Sequence, residues 1–277
     1  MRTFMRYPGG RIKALTFSFD DGLEADRPLI NIFRKYGLKG AFNINTDPLG
    51  MIPGVLTEDQ AASLYLPDQE VAMHGHTHAF MELLKDEHRF FEILENRRRL
   101  ENIFKMPIRG FALPWGTYAP DTPELLRKAG CAYNRTTNST HGFGFPEDLM
   151  VWNPTMHFKD KERDAIRDSF LSGDVVAQSP YKRTPWVLYI WGHSCELSGD
   201  EWEEFDKYCA SLAGRDEVWY ATNIEIADYA DAYERLIFTL DGSCVYNPSA
   251  HDVWFEYVKD YTDFRTVCVK SGETLRL

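Results

Sequence analysis

The chain contains the run Leu15-Thr16-Phe17-Ser18-Phe19-Asp20-Asp21-Gly22, in which apolar residues end abruptly at two carboxylates and a glycine. The apolar and β-favouring residues predict a buried strand. In an extended backbone Asp20 and Asp21 point to opposite sides, so one can bind a cation while the other faces a reacting group. Gly22 permits a sharp turn after them. The alternative is a strand followed by an ordinary polar turn, because Asp-Gly is a common turn dipeptide.

Three histidines follow a second apolar run, in Glu70-Val71-Ala72-Met73-His74-Gly75-His76-Thr77-His78. Two neutral imidazoles and one carboxylate form a ligand set that leaves open positions on a metal ion. His74 and His78 are four residues apart, which puts them on one face if the chain is helical there. His76 is predicted to have a structural role, with a contact to the ligands or to a substrate as the alternative.

These motifs resemble those of the polysaccharide deacetylases with NodB homology, carbohydrate esterase family four. The first family motif, Thr-Phe-Asp-Asp-Gly, is similar to the run that ends at Gly22, and the second, two His residues four apart, matches His74 and His78. The resemblance implies that Asp20 is the general base. It also implies that Asp21, His74 and His78 hold one divalent metal, usually zinc, with cobalt, nickel or manganese as alternatives.

The third family motif, Phe-Arg-x-Pro-Tyr-Gly in many members, resembles Phe111-Ala112-Leu113-Pro114-Trp115-Gly116 but has Ala112 in place of the Arg. Because the family Arg steers and charges the base Asp, a replacement cation is expected nearby. We predict Arg135, in the strand-like run 131–136, as that cation. Arg109 is the alternative, but it lies at the wrong end of its strand. The resemblance assigns the oxyanion contact to the backbone N–H of Trp115, which follows Pro114.

The last family motif, a strand that ends in His, is similar to Trp186-Val187-Leu188-Tyr189-Ile190-Trp191-Gly192-His193. The resemblance makes His193 the general acid. Trp115 and Trp191 are predicted to be walls against a sugar ring, although an aromatic residue at a strand end is as often ordinary core.

Four further side chains lie close in sequence to these motifs or strand ends. Glu196 and Glu225 are candidates to orient the general acid or the replacement cation, and the sequence does not select between them. His157, after a possible strand end, is predicted to be a surface or supporting residue, with substrate contact as the alternative. Cys195, two residues after His193, is predicted to be a small buried residue rather than a nucleophile.

The composition is that of a single compact enzyme of 277 residues, 44% of them hydrophobic, without low-complexity tracts. The net charge of −11 argues against nucleic acid or an anionic membrane as a partner, since both favour clustered Lys and Arg. The N-terminus lacks the apolar core of a signal peptide and no run is long enough to span a membrane, so a cytoplasmic location is predicted. The five cysteines are predicted to be buried thiols in a reducing compartment. A homo-oligomer is left open.

Strand-like and helix-like segments alternate along the chain. Seven or eight strand–helix units indicate a parallel sheet, and at this length a distorted (β/α) barrel is favoured over an open sheet. Strands are predicted near residues 15–20, 41–44, 71–73, 108–113, 132–136, 150–153, 187–191 and 218–222. The candidate residues fall at or just beyond the C-terminal ends of these strands, where a barrel has its active site. Residues 1–236 are assigned to the barrel and residues 237–277 to a small β-rich extension packed on it.

The resemblance implies a metal-dependent hydrolase that removes N-acetyl groups from an amino sugar or oligosaccharide. A water that the metal activates attacks the acetyl carbonyl, Asp20 accepts a proton, and His193 protonates the departing amine. One alternative is hydrolysis of another non-peptide C–N bond, such as that of a cyclic amide or ureide, which Ala112 favours slightly. The other is a catalytically silent sugar-binding barrel, and the presence of base, ligands, oxyanion loop and acid together argues against it.

Overall fold

The computed structural model describes residues 2–173, 183–258 and 264–277. Fourteen strands and seven α-helices lie within these residues. The strands are β1 (Arg2–Arg6), β2 (Lys13–Asp20), β3 (Gly40–Ile44), β4 (Glu70–Met73), β5 (Gly110–Ala112), β6 (Tyr133–Arg135), β7 (Met156–His157), β8 (Trp186–Gly192), β9 (Val218–Tyr220), β10 (Ile237–Phe238), β11 (Cys244–Tyr246), β12 (Val253–Val258), β13 (Phe264–Val269) and β14 (Thr274–Arg276). The helices are α1 (Asp26–Tyr36), α2 (Glu58–Leu64), α3 (Asp86–Phe104), α4 (Thr122–Lys128), α5 (Arg163–Ser172), α6 (Glu201–Leu212) and α7 (Asn223–Glu234). No helix of the described residues is long and apolar enough to cross a membrane.

Strands β2 to β9 form one parallel sheet in the spatial order β6-β5-β4-β3-β2-β8-β7, with β9 paired to the first residues of β2. In the described part of the chain, the edge strands β6 and β7 do not pair with each other. The connection between them follows β6 instead, where the Trp152 N–H donates to the Asn134 carbonyl at 2.9 Å and the Thr136 N–H donates to the Trp152 carbonyl at 3.1 Å. The sheet is therefore a distorted, incompletely closed (β/α) barrel, and the predicted fold class is confirmed.

Strand β2 lies at the centre of this sheet, and all eight of its residues are buried. Phe17 and Phe19 pack against Phe33 of α1, with ring centroids 4.6 and 6.0 Å apart. The alternate residues of β2 are polar on the opposite face, where Ser18 and Asp20 both accept hydrogen bonds from a single side chain of β3. The face opposite the helices thus contains an apolar cluster that includes Ala14, Tyr133 and Trp152, and it becomes polar towards the end of β2.

The predicted strand near residues 150–153 is wrong. Leu149–Val151 form a single 3-10 turn, because the Asp148 side chain accepts a hydrogen bond from the Met150 N–H at 2.8 Å. Pro154 then offers no N–H for a strand ladder. The strand of this region, β7, begins only at Met156.

Two three-stranded antiparallel sheets complete the structure, one in the order β1-β12-β13 and the other in the order β10-β11-β14. The first strand of the chain therefore pairs with the C-terminal extension, over Arg2–Arg6. Glu256 of β12 is buried between two guanidinium groups, with Arg6 Nη2 at 2.6 Å and Arg183 Nη2 at 2.8 Å. The division of the chain between residues 236 and 237 stays a prediction. Strand β1, which that division assigns to the barrel, pairs with β12 of the C-terminal segment.

Candidate active site

The C-terminal ends of four parallel strands bring the candidate residues together. Strand β2 ends at Asp20, β4 ends one residue before His74, β6 ends at Arg135, and β8 ends one residue before His193. Trp115 lies three residues after the end of β5. Because the strands are parallel, these ends meet at one rim of the barrel.

Asp20 is almost completely buried and forms an ion pair with Arg135 through both carboxylate oxygens. Arg135 Nη2 lies 2.7 Å from Oδ1 and 2.6 Å from Oδ2, and the Asn43 amide donates to Oδ1 at 2.8 Å. Burial alone would raise the pKa of Asp20, but the charge of Arg135, with His74 and His193, lowers it below its ordinary value. Asp20 is therefore an ionised carboxylate at neutral pH, as a general base must be.

Arg135 is fully buried, and its guanidinium lies 4.7 Å from the ring centre of Trp191. The other cation considered from the sequence, Arg109, forms an ion pair with Asp228 on α7. Arg109 precedes β5, so it lies at the rim opposite the candidate site. The structure thus places the guanidinium of Arg135, at the end of β6, beside the candidate base Asp20 at the end of β2.

Asp21, His74 and His78 form a compact group of potential metal ligands. His74 Nε2 lies 3.2 Å from His78 Nε2, and Asp21 Oδ1 lies 3.7 Å from the former and 3.6 Å from the latter. Asp21 does not point away from Asp20 as an extended backbone would require. Its φ of 83° is in the left-handed region, so the two adjacent carboxylates approach the same His74 ring, at 3.8 and 3.7 Å.

The chain is not helical between His74 and His78, so the condition that would have put them on one helix face is not met. Residues 74–80 form an irregular loop in which Gly75 and His78 have φ values of 73° and 61°. Glu92 of α3 holds this loop, since its carboxylate accepts hydrogen bonds from the Thr77 N–H at 2.8 Å and from the Thr77 hydroxyl at 2.7 Å. The two imidazoles meet because of this turn and not because of helical spacing.

The donor chemistry of this group fits a small divalent cation. His74 Nδ1 lies 2.9 Å from the Ala112 carbonyl oxygen, which only accepts hydrogen bonds, so Nδ1 carries the proton and Nε2 presents a lone pair. Burial and the neighbouring His74 lower the pKa of His78, which favours a neutral imidazole there as well. Metal–ligand bonds of about 2.0–2.2 Å at tetrahedral angles place ligand atoms roughly 3.4 Å apart, close to the separations observed.

A second group of similar composition lies on the other side of Asp20. Glu196 Oε1 is 2.7 Å from His193 Nδ1 and 3.2 Å from His157 Nε2, and His193 Nε2 is 3.8 Å from Asp20 Oδ2. Burial alone would raise the pKa of Glu196, but the hydrogen bonds from His157 and His193 lower it to about 2. Burial would lower the pKa of His193, whereas the hydrogen bond to Glu196 and the charge of Asp20 raise it overall.

Trp115 has a left-handed backbone, with a φ of 61°, a strained conformation that is common at functional sites. Its indole Nε1 donates to the His78 carbonyl at 3.0 Å. Its ring stacks on that of Phe80, with centroids 4.7 Å apart and planes within 6° of parallel, although the two residues remain 55% and 41% exposed. Pro114, directly before it, is buried. Trp115 and Phe80 together form an aromatic surface beside His78, one of the candidate metal ligands.

Several neighbours predicted from the sequence lie elsewhere or differ in burial. Glu225 completes the capping box of α7 and pairs with Lys39, so it orients neither His193 nor Arg135. Cys195 is exposed, and Cys244 and Cys268 are half-buried, so the prediction of five buried thiols is wrong. His76 Nδ1 lies 2.9 Å from the Thr46 hydroxyl, outside both groups.

Sequence reasoning missed three residues that shape the site: Asn43, Phe80 and Glu92. Asn43 had a usable signal, because it is a polar residue in the otherwise apolar strand β3. Glu92 and Phe80 had none, because only the loop conformation brings them to Thr77 and Trp115.

A cavity of about 770 Å³ lies away from this rim, between β1, α7 and the segment that precedes β8. None of the predicted site residues except the discarded Arg109 lines it. Its lining includes Thr184, close to the undescribed residues 174–182, and we assign it no ligand.

The sequence model of the polysaccharide deacetylase family matches residues 7–134. Over this segment, slightly less than half of the chain, the sequence is similar to the polysaccharide deacetylase family. The matched residues include the candidate base Asp20, the three candidate metal ligands and Trp115, while Arg135 and His193 lie beyond them. The resemblance seen in the sequence motifs is thereby confirmed.

Two solved structures, one of a putative polysaccharide deacetylase and one of a family 4 carbohydrate esterase pseudoenzyme, share the fold. A putative polysaccharide deacetylase from Mycobacterium smegmatis is 18% identical with a TM-score of 0.59, over 82% of this chain and 93% of that one. A family 4 carbohydrate esterase pseudoenzyme from Bacillus anthracis is 16% identical with a TM-score of 0.52, over 81% and 68%. A Streptococcus pyogenes deacetylase bound to acetate is 21% identical with a TM-score of 0.46, over 49% of this chain and 61% of its own length. The search of curated proteins gave no match.

Proposed function

We propose that this chain is a metal-dependent deacetylase that hydrolyses N-acetyl groups of an amino sugar or oligosaccharide. The observation that carries the proposal is the position of the ionised Asp20 carboxylate between two groups. His74 Nε2 of the candidate metal ligands lies 3.8 Å from Asp20 Oδ2 on one side, and His193 Nε2 lies 3.8 Å from the same atom on the other. A pseudoenzyme has the same fold, so the proposal rests on these residues and not on the fold.

Asp21, His74 and His78 are the residues that would hold the metal, and zinc suits a set of two imidazoles and one carboxylate. When bound, such an ion acidifies water and polarises a carbonyl group. The lowered pKa of Asp20 suits this residue to accept a proton, and the raised pKa of His193 suits that residue to donate one. Two groups whose surroundings move their pKa values apart are suited to the roles of base and acid.

In the proposed reaction, Asp20 accepts a proton from the attacking water while Arg135 and Asn43 hold its two oxygens in place. His193 gives a proton from Nε2 to the departing nitrogen, because an amide nitrogen leaves poorly as an anion. The backbone N–H of Trp115 is assigned to the oxyanion of the tetrahedral intermediate.

The aromatic surface of Trp115 and Phe80 supports a sugar as the substrate. Both rings are partly exposed beside a candidate metal ligand, and flat apolar faces of this kind pack against the C–H faces of a pyranose ring. Trp191 is less suited to this role, because Arg135 lies over its ring. These contacts favour an N-acetylated glycan over the rival substrate, a small cyclic amide or ureide.

The test measures acetate release from N-acetylated sugars and oligomers, and ring opening of cyclic amides, by protein stripped of metal and reloaded with zinc, cobalt, nickel or manganese. We expect acetate release that depends on the metal. Ring opening without acetate release would favour the cyclic-amide hydrolase. Tight binding of one metal equivalent with no turnover of either substrate class would favour the silent sugar-binding barrel.

A further inference from the structure

His157 lies at the outer end of a hydrogen-bonded series that reaches the candidate acid. It comes from β7, whereas Glu196 and His193 come from the loop after β8. Both histidines contact the same carboxylate oxygen, Glu196 Oε1, at 3.2 and 2.7 Å. The His157 ring is itself fixed by Phe158 and by Trp191, each with ring centroids 4.9 Å away.

The backbone determines which ring nitrogen of His157 carries the proton. The Lys159 N–H donates to His157 Nδ1 at 3.2 Å, so Nδ1 presents a lone pair and the proton of the neutral ring lies on Nε2, facing Glu196. The low pKa of Glu196 makes its carboxylate an acceptor for both histidines. Glu196 Oε1 therefore receives two N–H groups, one from each ring.

This arrangement argues against a second metal site, although the same three residues have the composition of one. A cation between them would need His157 Nε2 without its proton. The proton would then move to Nδ1 and face the Lys159 N–H, placing two donors against each other. The hydrogen bonds of His157, Glu196 and His193 are satisfied without a metal ion, so the group is better suited to support His193.

We propose that His157 is a positioning residue of the deacetylation: it holds the Glu196 carboxylate in place, and Glu196 in turn holds His193 with Nδ1 protonated and Nε2 towards Asp20. The inference rests on the proposed function, because it assigns a role within that reaction. Glu196 belongs to a three-residue turn, Ser194–Glu196, and the His157 contact ties this turn to β7. His157 acts through Glu196 and needs no contact with the substrate.

The test compares two leaving groups in two variants. A positioned acid matters for an amide, whereas 4-nitrophenolate leaves from 4-nitrophenyl acetate without a proton. In His157→Phe, which keeps a ring but removes the donor, kcat for an N-acetylated sugar should fall about 10-fold with KM little changed, and kcat for the aryl ester should stay within about 2-fold. His157→Gln places an amide N–H near the lost donor and should recover most of the amide activity. Zinc content should be equal in all three proteins.

Nitrogen-15 NMR of the histidine rings provides a readout that does not depend on turnover. We expect His157 as the Nε2–H tautomer in the unmodified protein and a changed Nδ1 resonance of His193 in His157→Phe. Equal loss on amide and ester, failure of His157→Gln to recover activity, or a second zinc equivalent that His157→Phe loses would each overturn the positioning role. Absence of acetate release by the unmodified protein would instead overturn the proposed function, and the role of His157 within it.

Discussion

Two groups of side chains lie on either side of Asp20, and each contains one carboxylate and two imidazoles. They differ in whether their nitrogen and oxygen atoms already have hydrogen-bond partners within the group. In the group of Asp21, His74 and His78, two imidazole nitrogens approach to 3.2 Å. In the group of Glu196, His157 and His193, one carboxylate oxygen accepts from both rings, at 3.2 and 2.7 Å. Under the proposed function a cation completes the first group, whereas the hydrogen bonds of the second group are already complete.

The difference arises at the other nitrogen of each ring. His74 Nδ1 donates to the carbonyl of Ala112, which turns a lone pair towards Asp21 and His78. His157 Nδ1 accepts the N–H of Lys159, which turns a proton towards Glu196. A backbone carbonyl or a backbone N–H thus decides whether an imidazole is a ligand or a donor. Composition and spacing alone do not distinguish the two groups.

The largest effect is expected from His78→Ala. Loss of one of three ligands should abolish tight metal binding and reduce turnover by at least about 10³-fold, since the base and the acid then act without the ion. Metal content by atomic emission and acetate release check both parts. The matched control is His76→Asn, which alters a histidine two residues away that contacts neither group and should keep its metal. Full metal binding by His78→Ala would contradict the comparison.

Asp20→Asn should separate metal binding from catalysis. We expect the variant to keep its metal yet lose about 10³-fold in kcat, because an amide cannot accept the proton from water. The change also leaves the buried Arg135 without its counter-ion, so the free energy of unfolding should fall by about 3–5 kcal/mol, measured by denaturant titration. If Asp20→Asn loses metal to the same extent as Asp21→Asn, the roles of the two aspartates have been assigned in the wrong order.

Arg135→Met should lower activity about 100-fold and change its pH dependence. Arg135 holds the pKa of Asp20 below its ordinary value against the effect of burial, so removing it raises that pKa. The base must be ionised, and the acidic limb of kcat/KM should therefore move to higher pH. Arg109→Met, which removes the guanidinium at the opposite rim, is the control and should leave the limb in place. An unmoved limb in Arg135→Met would mean that another group sets the charge of Asp20.

The sequence was sufficient for the barrel because short strand-like runs alternate with helical patterns along the chain, and the Thr57 capping box marks the start of α2. It also indicated Arg135, because strand ends in a parallel sheet converge and the family resemblance, with Ala112 at the position of the family Arg, implied a replacement cation nearby. It failed where a non-glycine residue adopts a left-handed backbone, as at Asp21 and His78. Such turns are stabilised by distant side chains, here Glu92 on α3, which local pattern does not reveal.

Glu196→Gln should affect the second group alone. Glu196 raises the pKa of His193, so the acid should lose its proton at lower pH in the variant, and the basic limb of kcat should move to lower pH. We expect about a 10-fold lower kcat on an N-acetylated sugar and unchanged metal content. Glu82→Gln, which changes an exposed carboxylate that accepts a hydrogen bond from the Thr117 hydroxyl, is the control. Metal loss in Glu196→Gln would erase the distinction between the two groups.

Glu70→Gln should leave both groups and kcat unchanged, and it separates the pH dependence of activity from that of stability. Glu70 begins β4 at the rim opposite the site, where it accepts hydrogen bonds from the Tyr133 hydroxyl and the Ile224 N–H, both at 2.7 Å. Burial raises its pKa from 4.5 to about 8, outweighing these hydrogen bonds, which lower it. Between these values the unfolded chain has released the proton that the folded chain retains, so the free energy of unfolding falls as pH rises from about 4.5 to 8, by at most about 5 kcal/mol. Gln resembles the protonated carboxyl, so the variant should lose this slope in denaturant titrations across that range and be more stable than the parent protein at pH 8. If the basic limb of kcat moved with it, that limb would report unfolding and not the proton of His193.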